Sequence, residues 1–259
     1  MILDAILAHK KFEIAALKKR RSATKLEKMA RRRVRTKPVF LANLDRGPGI
    51  AVIAEIKRRS PSKGLLRRDF QPARIARQYE RAGARALSVL TDERFFGGGT
   101  RVFREVRAAV DLPLLRKDFI IDEYQVLESA VMRADALLLI ACVLSAPKLR
   151  RLSRLARSLG MDCLYEVHTR RDIDKILPLK PALVGINNRD LTTFRIDMRT
   201  TERLIKLLPR AACVVSESGI QNPRDLIYLG GLGVDAVLVG ESLMRKKDPG
   251  AALARLFGR

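Results

Sequence analysis

The chain has 259 residues, 47% of them hydrophobic, and carries 52 Lys and Arg against 28 Asp and Glu, a formal charge of +24. That length suits one large α/β barrel of about 250 residues or two small domains, and with no Trp and 5% aromatics the core must be filled by aliphatic side chains. The charge favours anionic partners: nucleic acid, anionic lipid or a phosphorylated substrate. Basic residues are spread along the chain, with denser clusters at 18–21 and 31–35, and no Gly- or Ser-rich basic tail interleaved with aromatics appears. Most of the charge therefore reads as a solvated surface rather than a nucleic-acid site. Cys142, Cys163 and Cys213 sit in apolar runs without short spacing, which argues against a disulfide framework or a zinc site. Buried, reduced thiols are expected, and with them a cytoplasmic location. No apolar run is long enough to span a membrane. Asp4, His9, Lys10, Lys11 and Glu13 interrupt any signal-peptide core.

In chain order, Leu3, Ile6, Leu7, Ile14 and Leu17 recur near helical spacing. A second helix is predicted over 24–33, before Pro38 and the DRGPG stretch at 45–49 break the pattern. Short β-rich apolar runs then follow at 50–56, 86–90, 112–116, 136–142, 163–167, 183–186, 213–216 and 236–239. Helical stretches lie between and after them at 72–82, 101–110, 123–132, 146–159, 170–177, 200–208, 223–229 and 249–257. Strand–helix alternation predicts a parallel sheet with crossover helices. Eight such units in about 210 residues fit a closed barrel better than an open sheet. The expected fold is of the α/β class: a (β/α)8 TIM barrel with an N-terminal helical extension. It forms one domain over 1–259, with the extension at 1–48 and the barrel at 49–259.

Strands of such a barrel should be apolar until they reach the catalytic face, so polar residues at their C-terminal ends become candidates for the site. The first strand ends in Glu55-Ile56-Lys57, and alternation puts Glu55 and Lys57 on one side. The third ends in Arg116-Lys117-Asp118-Phe119, the fifth in Glu166-Val167-His168 and the sixth in Asn187-Asn188-Arg189-Asp190. The seventh gives Ser216-Glu217-Ser218-Gly219 and the eighth Gly240-Glu241-Ser242. Singly, each has an ordinary reading: a rim lysine, an ion-paired carboxylate, a turn. Six such ends directed at one mouth are not rim decoration. The glycines after the last two strands add a place for a phosphate on backbone N–H groups.

These residues resemble the indole-3-glycerol-phosphate synthase family. The likeness is carried by EIKRRSPS at 55–62, LSVLTDERFFGG at 87–98, LLRKDFIIDEYQ at 114–125 and EVHT at 166–169. GINNRDL at 185–191, SESGI at 216–220, VLVGESLM at 237–244 and the N-terminal ILDAILAHKKFEIAALK continue it over nearly the whole chain. The sequence departs at Met132-Arg133-Ala134-Asp135, where a Gly-Ala-Asp turn is expected and where a non-glycine residue could strain the backbone.

The resemblance implies ring closure, decarboxylation and dehydration of 1-(2-carboxyphenylamino)-1-deoxyribulose 5-phosphate to indole-3-glycerol phosphate in tryptophan biosynthesis. It implies no metal and no organic cofactor, in keeping with the lack of a His/Cys/Asp ligand cluster or dinucleotide fingerprint. Lys117 matches the acid near the ketone oxygen, and a lysine among other cations would have a lowered pKa. Glu166 is the expected general base, and Lys57 a contact for the substrate carboxylate or phosphate that can itself protonate the leaving hydroxyl. Glu55 and Glu217 would position the lysines and sugar hydroxyls. Asn187 and Arg189 would hold the anthranilate end.

The phosphate is expected against Ser60, Ser218, Gly219, Gly240 and the N–H of Glu241, whose side chain should point away. Phe96, Phe119, Leu138, Leu191 and Leu238 would form the slot around the aromatic ring, and His168 is expected to be solvated. The partner is thus an anionic small molecule, with neither membrane nor nucleic acid, bound by a monomer or weak homodimer. Two rivals are a phosphoribosylanthranilate isomerase, which would place a thiol or carboxylate base at the first strand, and a basic nucleic-acid-binding protein on a barrel without turnover.

Overall fold

The computed structural model describes residues 2–32, 34, 38–45 and 49–258. Its eight barrel strands are β1 (Ala51–Ile56), β2 (Ala86–Leu90), β3 (Leu114–Lys117), β4 (Ala136–Ile140), β5 (Asp162–Val167), β6 (Leu183–Asn187), β7 (Cys213–Glu217) and β8 (Ala236–Val239). All pair in parallel with their sequence neighbours, and β1 closes the ring by pairing with both β2 and β8. The (β/α)8 barrel expected from the alternation is therefore the fold. The crossover helices run Pro72–Arg81, Thr100–Ala109, Glu123–Val131, Ala146–Ser158, Arg170–Ile176, Arg199–Ile205, Pro223–Gly231 and Pro249–Leu256. Several begin at a built cap: Thr169 with Asp172 and Asn222 with Asp225 form capping boxes, and Asp122 and Asp248 each accept a backbone N–H.

Strand ends differ from the sequence reading by one or two residues. The third strand starts at Leu114, after Pro113, which has no N–H for the ladder. The fourth stops at Ile140, whose carbonyl accepts from Val143 and Leu144 in a tight turn. That turn carries Cys142 out of the sheet, so this thiol is exposed rather than buried; Cys163 is buried and Cys213 half-buried. Partial desolvation reinforced by Asp172 and Glu166 at Cys142, and burial at Cys163 and Cys213, drive the three thiols up to about 12, so each is held as a neutral thiol near neutrality.

Strand alternation divides the interior into two cores. In β1, Val52, Ala54 and Ile56 face the helices, while Ala51 and Ile53 face the barrel axis. Leu115, Leu138, Leu164, Val215 and Leu238 join Ile53 inside. A short helix, Phe40–Leu44, seals the end of the barrel where the strands begin: Phe40 and Leu44 are buried against this inner core, and Leu41 N–H donates to Asp162 at 3.0 Å. Five residues are too few to show a helical period, so nothing in the sequence announces this element. The short helices Glu93–Phe96 and Glu241–Met244 and the two-residue strands Arg59–Ser60 and Gly64–Leu65 are likewise too short to carry a period.

The N-terminal helices are α1 (Ile2–Arg20) and α2 (Ala23–Arg31), the second capped by Ser22. Arg33, placed in that helix by the sequence pattern, lies outside the described residues, as do 46–48 of the DRGPG stretch. The turn after Glu123–Val131 has Arg133 at φ 64°, where the comparable turns before β2, β5 and β8 use Gly83, Gly160 and Gly233 at φ 92°, 76° and 84°. The missing glycine thus puts a side chain in the left-handed region, a cost of about 1–2 kcal/mol.

One buried charge docks α1 on the barrel. The Lys10 side chain is 1% exposed, and its Nζ lies 3.1 Å from Asp92, 3.0 Å from Asp118 and 2.8 Å from Glu13. Asp118 also pairs with Arg116 at 3.2 Å and accepts from Thr91 at 2.5 Å. Burial disfavours the Lys10 charge, but the three carboxylates outweigh it and hold the ammonium well above its ordinary pKa. Lys10→Met should leave Asp92 and Asp118 short of a cation and cost about 3–5 kcal/mol. Urea unfolding of the two proteins checks this; a loss under about 1 kcal/mol would place the anchor elsewhere.

Candidate active site

The inward stripe of each strand continues past the apolar core into charge. On β1, Ala51 and Ile53 are followed by Glu55 and then Lys57; on β3, Leu115 by Lys117; on β5, Leu164 by Glu166; on β7, Val215 by Glu217. The cavity at this mouth is lined by Glu55, Lys57, Lys117, Glu166, Asn187, Arg189 and Glu217 together. Lys117 stands at their centre. Its Nζ donates to Glu166 Oε2 at 3.0 Å and to Glu217 Oε2 in a very short contact. Lys57 Nζ donates to Glu55 Oε1 at 2.5 Å, and Ser88 Oγ donates to the other oxygen at 3.4 Å. The side chain of Asn187 hydrogen-bonds Glu166, and its Oδ1 accepts the N–H of Arg189 at 3.0 Å.

Space for two of these carboxylates depends on glycines. A Cβ on Gly185 of β6 would stand 2.2 Å from Glu217 Oε1, and one on Gly240 would stand 2.6 Å from Glu55 Oε1. Gly240 was singled out only for its backbone; its lack of a side chain also makes room for Glu55.

The rest of the cavity is lined by apolar side chains and by serine- and glycine-bearing loops. Phe96 and Phe119 stack obliquely at 6.2 Å, next to Leu191. Leu138 and Leu238 are inner-core residues that form the floor. Ser60, Ser218, Gly219, Gly240 and Glu241 line the other side. Ser60 Oγ is buried with no hydrogen-bond partner among the described residues. Ser218 and Gly219 take successive positive φ values of 68° and 95°. Ile2, Leu3 and Ile6 of α1 also reach the mouth; the helical apolar period of Leu3 and Ile6 is visible in the sequence, but not where the helix docks.

Four expectations change. Lys117 does not lie among cations: burial alone would lower its pKa, but Glu166, Glu217 and Glu55 more than offset it and the ammonium is held well above its ordinary value. The Glu241 side chain does not point away; it accepts from Arg189 Nη2 at 3.0 Å. Arg189, which also donates to Ser62 Oγ at 3.3 Å, is thereby placed beside the glycine loops. His168 is not solvated: its side chain is 12% exposed and its Nε2 is 3.4 Å from Glu166 Oε1.

The carboxylates differ in charge. Burial opposes ionisation of Glu55, but Lys57 and Lys117 bring its pKa below the ordinary range. Burial likewise opposes ionisation of Glu166, yet Lys117 and His168 lower it to about 2. Burial raises Glu217 to about 8, with Lys117 opposing and Glu166 reinforcing the shift, so Glu217 holds a proton near neutrality. Two ammonium groups then face two carboxylates and one carboxylic acid.

Among the described residues, no group of three or more His, Cys, Asp or Glu is placed to hold a metal ion, and no helix is long and apolar enough to cross a membrane.

A closed parallel barrel whose strand ends converge as lysine–carboxylate pairs defines a TIM-barrel enzyme built for acid–base chemistry on an anionic substrate. The indole-3-glycerol phosphate synthase family model matches residues 3–256, and the chain belongs to that family. Its members are carboxy-lyases of tryptophan biosynthesis. The chain is 49% identical over 258 residues to the indole-3-glycerol phosphate synthase of Burkholderia vietnamiensis, covering 99% of this chain and 98% of that one. It is 52% identical over 210 residues to that of Geobacillus thermodenitrificans, covering 81% of each. Among solved structures, KGPDC from Streptococcus mutans superposes with a TM-score of 0.62 at 13% identity, over 82% of this chain and 97% of that one, which speaks to the fold alone.

Two outcomes follow from this geometry. Gly185→Ala should displace Glu217, which holds Lys117, and lower turnover on the order of 10²-fold, the penalty for a displacement of about 1 Å in an active site; unchanged turnover in a folded variant would contradict the contact. Because the pKa of Glu217 is raised by folding, its contribution to stability declines as pH rises from about 4.5 to about 8. Glu217→Gln removes that decline, so the variant should gain on the parent between pH 5 and pH 8.5 in urea unfolding. An identical difference at both pH values would show that Glu217 does not titrate in this window.

Proposed function

We propose that the chain closes the indole ring of 1-(2-carboxyphenylamino)-1-deoxyribulose 5-phosphate, releasing carbon dioxide and water and giving indole-3-glycerol phosphate. The observation that carries this reading is Lys117 Nζ held between Glu166 and Glu217 at the centre of the cavity. In the first step the ring carbon bearing the carboxylate attacks the sugar ketone. An ammonium held by two carboxyl groups stays protonated, so Lys117 stabilises the negative charge growing on the ketone oxygen and then gives it a proton. Carbon dioxide leaves and the ring regains aromaticity. In the second step Glu166, ionised down to about pH 2, takes a proton from the intermediate while Lys57 protonates the departing hydroxyl. Glu55 holds Lys57, Glu217 holds Lys117, and Asn187 orients Glu166.

The substrate's two anionic ends fit the two sides of the cavity. We place the phosphate against Ser60, Ser218, Gly219, Gly240 and the N–H of Glu241, with Arg189 beside them. The unpartnered Ser60 Oγ and the concave turn at Ser218-Gly219 support this. The aromatic ring enters between Phe96, Phe119 and Leu191, over Leu138 and Leu238. The isomerase rival is disfavoured because the first strand presents an ion-paired Glu55 and Lys57, and no thiol lines this cavity.

In the same reading the protein is cytoplasmic, a monomer or weak homodimer, and has no nucleic-acid partner. Its free cysteines support the compartment, and ion pairs such as Arg31–Glu27, Arg101–Glu105 and Arg203–Asp197 support a solvated basic surface. Lys117→Ala should lower indole formation, followed by fluorescence, by at least about 10²-fold, while product binding stays measurable by calorimetry. Near-normal turnover would remove Lys117 from the chemistry.

A further inference from the structure

His168 is a titratable side chain against Glu166 that the mechanism leaves without a task. It lies two residues beyond Glu166 on the same face of β5 and its outgoing turn, so the two side chains project the same way. Its backbone is fixed: the N–H of His168 donates to Asp172 Oδ2 at 3.1 Å, the carboxylate that also completes the capping box with Thr169. Its ring has a neighbour at each nitrogen. Nδ1 is 3.9 Å from Cys142 Sγ, and Nε2 is 3.4 Å from Glu166 Oε1. Nε2 is buried and makes no hydrogen bond among the described residues, so Glu166 is the acceptor toward which its proton can be directed.

We propose that His168 is a positioning residue for Glu166, its Nε2–H fixing the carboxylate oxygen that Lys117 leaves untouched. This rests on the reading of Glu166 as the general base. Lys117 takes Oε2, and rotation about the terminal torsion of a glutamate is soft. A donor at Oε1 fixes the plane of the carboxylate, so its free lone pair meets the substrate at one angle. The ring's charge, when present, also favours ionised Glu166. The other groups facing Glu166 are Lys117, Glu217 and Glu55, with the Asn187 amide. Those facing His168 are Cys142, Asp172 and, more distantly, Asp190.

The chain has only two histidines, so two imidazole spin systems report the contact by NMR, with His9 as internal control. Glu166→Gln should move the ring nitrogen and C–H shifts of His168, whose Nε2 lies 3.4 Å from the Glu166 carboxylate, while those of His9 stay put. An unmoved His168 overturns the proposal. This readout needs no turnover, so it stands or fails apart from the assigned reaction. In the assay, His168→Phe keeps the ring's bulk without its nitrogens and should lower kcat about tenfold with KM nearly unchanged, while His168→Gln, which restores an N–H donor, should recover most of the loss. Equal kcat in parent and Phe variant, or equal loss in the Phe and Gln variants, contradicts the role.

Discussion

One buried ammonium organises this site. Lys117 enters the barrel mouth from β3 and is held from β5 and β7 by Glu166 and Glu217. Removing a charge from water is costly unless partners surround it, and a single carboxylate in so buried a place would leave the balance poor. Two carboxyl groups secure the ammonium, and burial, reinforced by the Glu166 charge, leaves Glu217 protonated near neutrality. The positions of three strand ends thus become interdependent: moving Lys117 or Glu166 strands a charge, and moving Glu217 takes away one of the ammonium's two partners. Lys57 and Glu55 repeat the device on β1 with one pair.

The same alternation that separates the inner from the outer core delivers these groups. Ile53 and Glu55 share a face of one strand, as do Leu164 and Glu166, and Val215 and Glu217. The apolar member sits in the inner core and the charged member in the cavity above it, so packing below aims the chemistry above. Gly185 shows how tight this layer is, because the atom it lacks would occupy the place of a Glu217 oxygen. Around it, the Lys10 cluster fastens α1 beside the mouth, and Arg116, facing the helices from the same strand as Lys117, is bonded to Thr91, Gln125, Ser129, Asp118 and Glu128.

Most of the barrel was legible in the sequence because strand and helix periods alternate without interruption, and the polar strand ends announced the mouth. What stayed hidden depends on contacts between residues far apart in the chain. The Phe40–Leu44 plug is too short to carry a period. Lys117 is expected among cations, yet the adjacent Arg116 points to the other face of the strand and the true neighbours come from residues 49 and 100 positions away. Glu241 was expected to avoid an anion site, but the Arg189 guanidinium gives it a partner there. His168 was passed over because adjacency in sequence does not reveal which way a ring turns. The excess positive charge is the least absorbed feature: a second groove outside the mouth gathers Arg67, Arg68, Arg74, Arg245, Lys246, Lys247 and Arg255, of which Arg67 is committed to the carbonyls of Lys246 and Lys247.

The account turns on where the reacting ketone meets Lys117. A crystal structure of the Glu166→Gln variant, slowed at dehydration, soaked with the carboxyphenylamino-deoxyribulose phosphate would locate it. The oxygen derived from that ketone should lie within hydrogen-bond reach of Lys117 Nζ, about 2.6–3.2 Å, with the phosphate on the Gly219 and Gly240 side. A ligand bound the other way round, its phosphate at Lys117 and its ketone remote from that ammonium, would contradict the account.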